Sequence, residues 1–168
     1  MARRRRGSRR KPYKVVKYSN ETQNFQETFV PIPPSQEQPN PPRGPYRKAC
    51  VIIEPLNAQG MRKVKNITLQ IICTLNHPLI WALVYVPQGT NPNQLQFGSP
   101  DEPLSLYEPN QNVIMSGVTI NGSPRQTWRT RLARNLNSGD GITLIFDSEI
   151  DVNDTFAISC TCNYAITY

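Results

Sequence analysis

Apolar and polar positions alternate along much of the second half of the chain. From Ile67 the apolar residues Ile67, Leu69, Ile71, Cys73 and Leu75 are separated by Thr68, Gln70 and Thr74. That period of two predicts a half-buried strand. Leu79–Val86 is apolar, short and closed by Pro78 and Pro87, and predicts a buried strand. Val113–Ile120 runs into Asn121-Gly122, a tight-turn pair. Thr127–Arg134 alternates again, Asn137-Ser-Gly-Asp-Gly141 is a turn cluster, and Ile142–Phe146 follows as a strand. The clearest alternation is the last: Phe156, Ile158, Cys160, Cys162, Tyr164, Ile166 and Tyr168. With a short β-prone run at Ala49–Ile53, the pattern predicts about seven strands and no amphipathic helix. An all-β body of this kind is a sandwich or a barrel. The strand count alone does not choose between immunoglobulin-like, OB-like and jelly-roll topologies.

The first 47 residues read differently. Residues 19–30 are polar, with isolated apolar positions at Phe25, Phe29 and Val30. From Pro31 to Pro45, seven of fifteen residues are proline, a composition that favours polyproline II and excludes helix. The expected organisation is therefore a disordered basic, proline-rich arm over 1–47 and a β domain over 48–168. One long connection, residues 87–112, contains Pro92, Pro100, Pro103 and Pro109. A loop of that length is usually functional or packed against something.

Charge sharpens this division. The chain carries a formal +7, but residues 1–18 hold nine basic groups and no acidic one: Arg3, Arg4, Arg5, Arg6, Arg9, Arg10, Lys11, Lys14 and Lys17. Residues 1–48 are net +9 and residues 49–168 net −2. Such an arm cannot fold alone, because like charges repel and nothing apolar offsets the ordering entropy. It suits phosphates: each Arg or Lys displaces condensed counterions, and guanidinium forks match phosphate oxygens. Tyr13 and Tyr18 sit among these cations, where they can stack on unpaired bases. Arg3–Lys11 also fits a basic import signal read by nuclear import machinery. A second basic group is Arg125, Arg129, Arg131 and Arg134. On a strand Arg129 and Arg131 share a face that can meet nucleic acid. Arg62, Lys63 and Lys65 are weaker candidates.

Other chemistry is thin. Cys50, Cys73, Cys160 and Cys162 lack C-x-x-C spacing, and His77 is the single histidine, so no zinc site is expected. Cys160 and Cys162 fall on one strand face, which disfavours a mutual disulfide. Four buried, reduced thiols are expected, and with them an intracellular home. Asp147, Glu149, Asp151 and Asp154 cluster within eight residues and read as a solvated acidic turn. There is no G-x-S-x-G and no phosphate-cradling glycine loop. No enzyme activity and no cofactor is expected. No apolar stretch is long enough to span a bilayer as a helix, and no secretory signal is expected.

The arm, proline-rich spacer and β body resemble the layout of capsid proteins of small circular single-stranded DNA viruses, the circovirus-like and nanovirus-like group. The resemblance is more specific in Leu79-Ile-Trp-Ala-Leu-Val-Tyr-Val-Pro-Gln-Gly89, in Leu106-Tyr-Glu-Pro-Asn-Gln-Asn-Val-Ile-Met115 and in Arg134-Asn-Leu-Asn-Ser-Gly-Asp-Gly141. It implies a single jelly roll, a small icosahedral T=1 shell of about sixty copies closed by symmetry, and arms turned toward a single-stranded DNA genome. It also implies a virion protein that passes through the host nucleus. A jelly roll needs one more strand than the seven counted, sought near Val30–Ile32 or within 87–112. Two alternatives share parts of this pattern: the capsid of a small RNA or satellite virus, and a cellular nucleic-acid-binding β-barrel protein.

Overall fold

A computed structural model describes residues 17–29, 47–57, 60–74, 78–91, 112–119, 125–147 and 156–168. The expected arm from Arg3 to Lys14, the proline-rich spacer, His77 and most of the 87–112 connection lie outside the described residues.

Nine strands occur in chain order: β1 (Ser19–Phe29), β2 (Arg47–Ile53), β3 (Arg62–Cys73), β4 (Ile80–Val86), β5 (Val113–Val118), β6 (Gln126–Thr130), β7 (Arg134–Leu136), β8 (Gly141–Asp147) and β9 (Phe156–Thr167). No helix occurs among the described residues. One sheet has the order β1-β9-β3-β6, with β7 also on β3; the other has the order β2-β8-β4-β5. Every pairing is antiparallel. The chain crosses from sheet to sheet at each step except β4–β5 and β6–β7. Taken as one interrupted strand, β6 and β7 complete the eight strands of a jelly-roll sandwich.

The eighth strand is β1, and it corrects the expected boundary at residue 47. Ser19–Phe29 pairs with β9 along its whole length, from Ser19 opposite Ile166 to Phe29 opposite Phe156. This stretch belongs to the sandwich, not to the arm. Its backbone is held by the ladder, while only alternate side chains meet the core. The expected single strand over Thr127–Arg134 is also corrected. It is broken at residues 131–133, opposite a bulge in β3 between Lys65 and Thr68, where Asn66 takes a positive φ of 54°. A bulge bends its strand and increases the local twist, so β3 is paired by β6 on one side of it and by β7 on the other.

The core lies between the inward faces. Val64, Ile67, Leu69, Ile71, Phe156, Ile158, Cys160, Cys162, Tyr164 and Ile166 from the first sheet meet Trp81, Leu83, Ile142, Leu144 and Phe146 from the second. Phe25 of β1 packs edge-on against Phe146, with ring centroids 6.3 Å apart. Trp81 is fully buried and meets Trp128 of β6 at 4.7 Å and 63°. The four cysteines are free thiols, with Cys160 and Cys162 buried on the inward face of β9. The second sheet is also apolar on its other face, where Ala82, Val84 and Ile145 are buried together. Burial on both faces accounts for the unbroken apolar run in β4. Asp147 does not belong to a solvated turn: it closes β8 and is buried.

Candidate nucleic-acid interface

The outward face of the β1-β9-β3-β6 sheet has an unusual composition. Strand alternation turns Asn20, Thr22, Asn24, Gln26 and Thr28 of β1 away from the core. On β9 the outward positions are Ala157, Ser159, Thr161, Asn163, Ala165 and Thr167; on β3 they are Lys63, Lys65, Thr68, Gln70 and Ile72. Thr127 and Arg129 of β6 and Asn135 of β7 complete the face. The register assembles these positions into rows. One runs Thr22, Asn163, Thr68, Arg129 and the next runs Asn24, Thr161, Gln70, Thr127. Thr22 Oγ1 donates to Asn163 Oδ1 at 2.6 Å, fixing the first row. Among the described residues the face carries three cations and no carboxylate. The two acids of β1 point the other way. Glu21 accepts hydrogen bonds from Tyr164 at 3.0 Å and Tyr168 at 2.8 Å, and Glu27 pairs with Lys48 at 3.3 Å.

The cations of the face gather around the β3 bulge. Lys63 and Lys65 lie on its β7 side, Arg129 on its β6 side. The ammonium of Lys65 sits 3.5 Å from the centroid of the Tyr18 ring. The Cα partner of Lys65 on β9 is Ala165, whose small side chain leaves room for that ring. Tyr18 and the exposed Lys17 immediately precede β1. The segment holding Arg3 to Lys14 is thus joined to the sandwich beside this face. Chemically the surface offers phosphate-binding cations, an aromatic ring, and neutral amides and hydroxyls that hydrogen-bond sugars and bases alike.

The predicted site residues divide accordingly. Arg129 stands on the outward face and is exposed. Arg131 is exposed as well, but it lies in the break after β6. The strand argument that put it on the face of Arg129 therefore does not apply. Arg134 lies in β7 opposite inward-facing Val64 and leaves the group. Arg62, one of the weaker candidates, also falls away from the face. It is buried and donates to the carbonyl oxygens of Glu54 at 3.1 Å and Asp140 at 2.7 Å. Lys63 and Lys65, ranked as weaker from sequence, are central. The polar ladder of β1 was missed; an uninterrupted run without proline or glycine from residue 19 to 29 was its available signal.

The described parts of 79–89, 106–115 and 134–141 meet around Asp140. Asp140 is buried, and its carboxylate accepts from the Tyr85 hydroxyl at 2.6 Å, the Asn137 amide at 2.7 Å and the Gln88 amide at 3.1 Å. Burial by itself would raise the Asp140 pKa, but these hydrogen bonds to the ionised form outweigh it and hold the group below the usual carboxylate value. Burial and the bond to Asp140 push the Tyr85 phenol up to about 12. The Tyr85 amide donates in turn to the Asn112 carbonyl at 2.8 Å. Gly139 takes a positive φ of 81°, and a Cβ there would come within 2.6 Å of Gln88. The segments serve to pin a turn.

No known family model matches the chain, and no curated protein matches its sequence. Among the described residues no group of three or more His, Cys, Asp or Glu side chains is placed to hold a metal ion.

Proposed function

We propose that the chain is a capsid subunit that assembles with copies of itself into a small closed shell and packages single-stranded DNA. One observation carries the reading: a nine-charge cationic segment joins a jelly-roll sandwich beside a sheet face that is polar, cationic and, among the described residues, free of carboxylates. In this reading Arg3–Lys17 neutralise phosphates at long range. Lys63, Lys65 and Arg129 hold them at the wall, and the neutral rows accept any base. The protein acts without catalysis and without a cofactor. It reaches the host nucleus through the basic stretch Arg3–Lys11 and ends in the virion. The two-sheet topology weighs against the alternative of an OB-type cellular module, whose strands form a five-stranded barrel. The same chemistry would serve an RNA genome, so that alternative is left to the test.

The test uses the full chain. Electron microscopy and light scattering should find uniform closed particles, and single-stranded DNA should bind with a steep salt dependence. A stable monomer at all salt concentrations, with DNA added, overturns the proposal. Tighter packaging of single-stranded RNA than DNA under competition moves the reading to an RNA virus. Deleting residues 2–16 should flatten the salt dependence while leaving the sandwich folded.

A further inference from the structure

A sandwich has four sheet edges, and a strand at an edge exposes unpaired N–H and C=O groups that invite another strand. Among the described residues, three of these edges are interrupted. β2 has a register shift between Val51 and Ile53, the β4–β5 ladder has one between Leu83 and Val84, and the β6–β7 edge is broken at 131–133. The fourth edge, β1, has none of this. Its eleven residues run in continuous register against β9 and include no proline, glycine, lysine or arginine. Among the described residues no strand lies on its other side.

We infer that the free edge of β1 pairs antiparallel with β1 of a second copy of the chain, with Phe25 opposite Phe25. Antiparallel self-pairing is isologous, so one edge suffices for a two-fold contact. Charge excludes the register of full overlap, and aromatic pairing favours Phe25 opposite Phe25 over the neighbouring registers. Centring the pair on Asn24 would set Glu21 opposite Glu27 of the other copy. Centring it on Phe25 sets Glu27 opposite Gln23, Asn24 opposite Gln26 and Thr22 opposite Thr28. No carboxylate then faces another, and like charges opposite each other are what destabilises a strand pair. The pairing joins two β1-β9-β3-β6 sheets edge to edge. Their polar faces become one surface, with a Lys63, Lys65 and Arg129 cluster toward each end. The inference deepens the self-assembly part of the proposed function and rests on that part alone.

Full-length chains bearing Thr22→Cys and Thr28→Cys are to be oxidised at high salt, singly and mixed. The mixture should give a disulfide-linked dimer on non-reducing gels, and neither variant alone should do so. Linkage within Thr22→Cys alone, or none in the mixture, overturns the register and the pairing. As a second measurement, sedimentation should show the double variant N24K/Q26K dimerising about tenfold more weakly, from like charges at two symmetric pairs. N24D/Q26K should recover it, because position 24 of each copy faces position 26 of the other. Equal dimerisation by all three proteins overturns the pairing. Cross-linked dimers that never form shells would defeat the capsid reading and leave this inference standing. Shells without the 22–28 link would do the reverse.

Discussion

Gly117 and Trp81 are partners across the β4–β5 ladder, and a Cβ on Gly117 would lie 2.7 Å from Cζ2 of the indole. The glycine is there for space: its φ is not one that side chains avoid, but the fully buried ring of Trp81 occupies the volume a methyl group would need. Trp81 in turn is held edge-on by Trp128 of the other sheet. Gly117→Ala should therefore strain the core and cost about 1–3 kcal/mol. Urea unfolding followed by tryptophan fluorescence measures this directly. An unchanged midpoint would show that the indole can move aside.

Asp140 should make stability fall in acid. Its pKa is lowered in the folded state, so the unfolded chain binds the proton more readily. The stabilisation is fully present above the ordinary carboxylate pKa of about 4. It is lost as pH falls through the lower folded value. Tyr85→Phe removes one donor to the ionised carboxylate and should cost about 1.5–3 kcal/mol at neutral pH. Asp140→Asn should flatten the acid limb of a plot of unfolding free energy against pH. A variant as acid-sensitive as the parent would assign that limb to other carboxylates.

The cations of the outward face should add to the arm's effect on binding. Each phosphate contact on a single strand contributes a slope of about −0.7 in log K against log salt. K63Q/K65Q/R129Q should lower the magnitude of that slope by about 2. Fluorescence anisotropy with an oligothymidine across a salt series reads it, and circular dichroism checks the fold. A slope identical to the parent's would confine phosphate contact to the arm.

The buried thiols of Cys160 and Cys162 should be silent in the folded protein. Burial pushes Cys162 up to about 12 and Cys160 further still. Cys50, half-buried, is raised to about 11 by burial and by nearby Glu27. Labelling with a thiol-specific disulfide reagent at pH 8 should be slow for Cys160 and Cys162 in native protein. It should reach four thiols per chain in denaturant. Rapid native labelling of Cys160 would mean that β9 opens.

Where one side of a strand is apolar, the sequence was readable. The alternation in β9, and in β3 from Ile67 to Cys73, marked the inward faces residue by residue, while the first part of β3 went unread and the apolar run of β4 marked a buried strand. β1 was not readable because its inward positions include Glu21, Gln23 and Glu27 beside Phe25. Its acids are satisfied by Tyr164, Tyr168 and Lys48, partners that are remote in the chain. Periodicity cannot see a strand whose buried side is polar. The break after β6 was hidden for a related reason. Its cause is the bulge at Asn66 in another strand, and Thr127–Arg134 continues to alternate through it. The cations were visible as a set, but which of them share a surface depended on the register of β3 against β6 and β7. That is why Arg131 and Arg134 gave way to Lys63 and Lys65, and why Arg62, ranked with those two lysines, parted from them into the interior.

The polar rows on the outward face carry little of the fold's stability. Their side chains can be traded among threonine, serine, asparagine and glutamine without touching the core. Asp140, Gly139 and Gly117 allow no such trade. Substitutions should therefore be tolerated unevenly: the broad polar surface should vary in detail without loss of the fold, while a few turn and core positions should not. A collection of diverged copies would show that contrast as a map, drawn by tolerance rather than by distance along the chain.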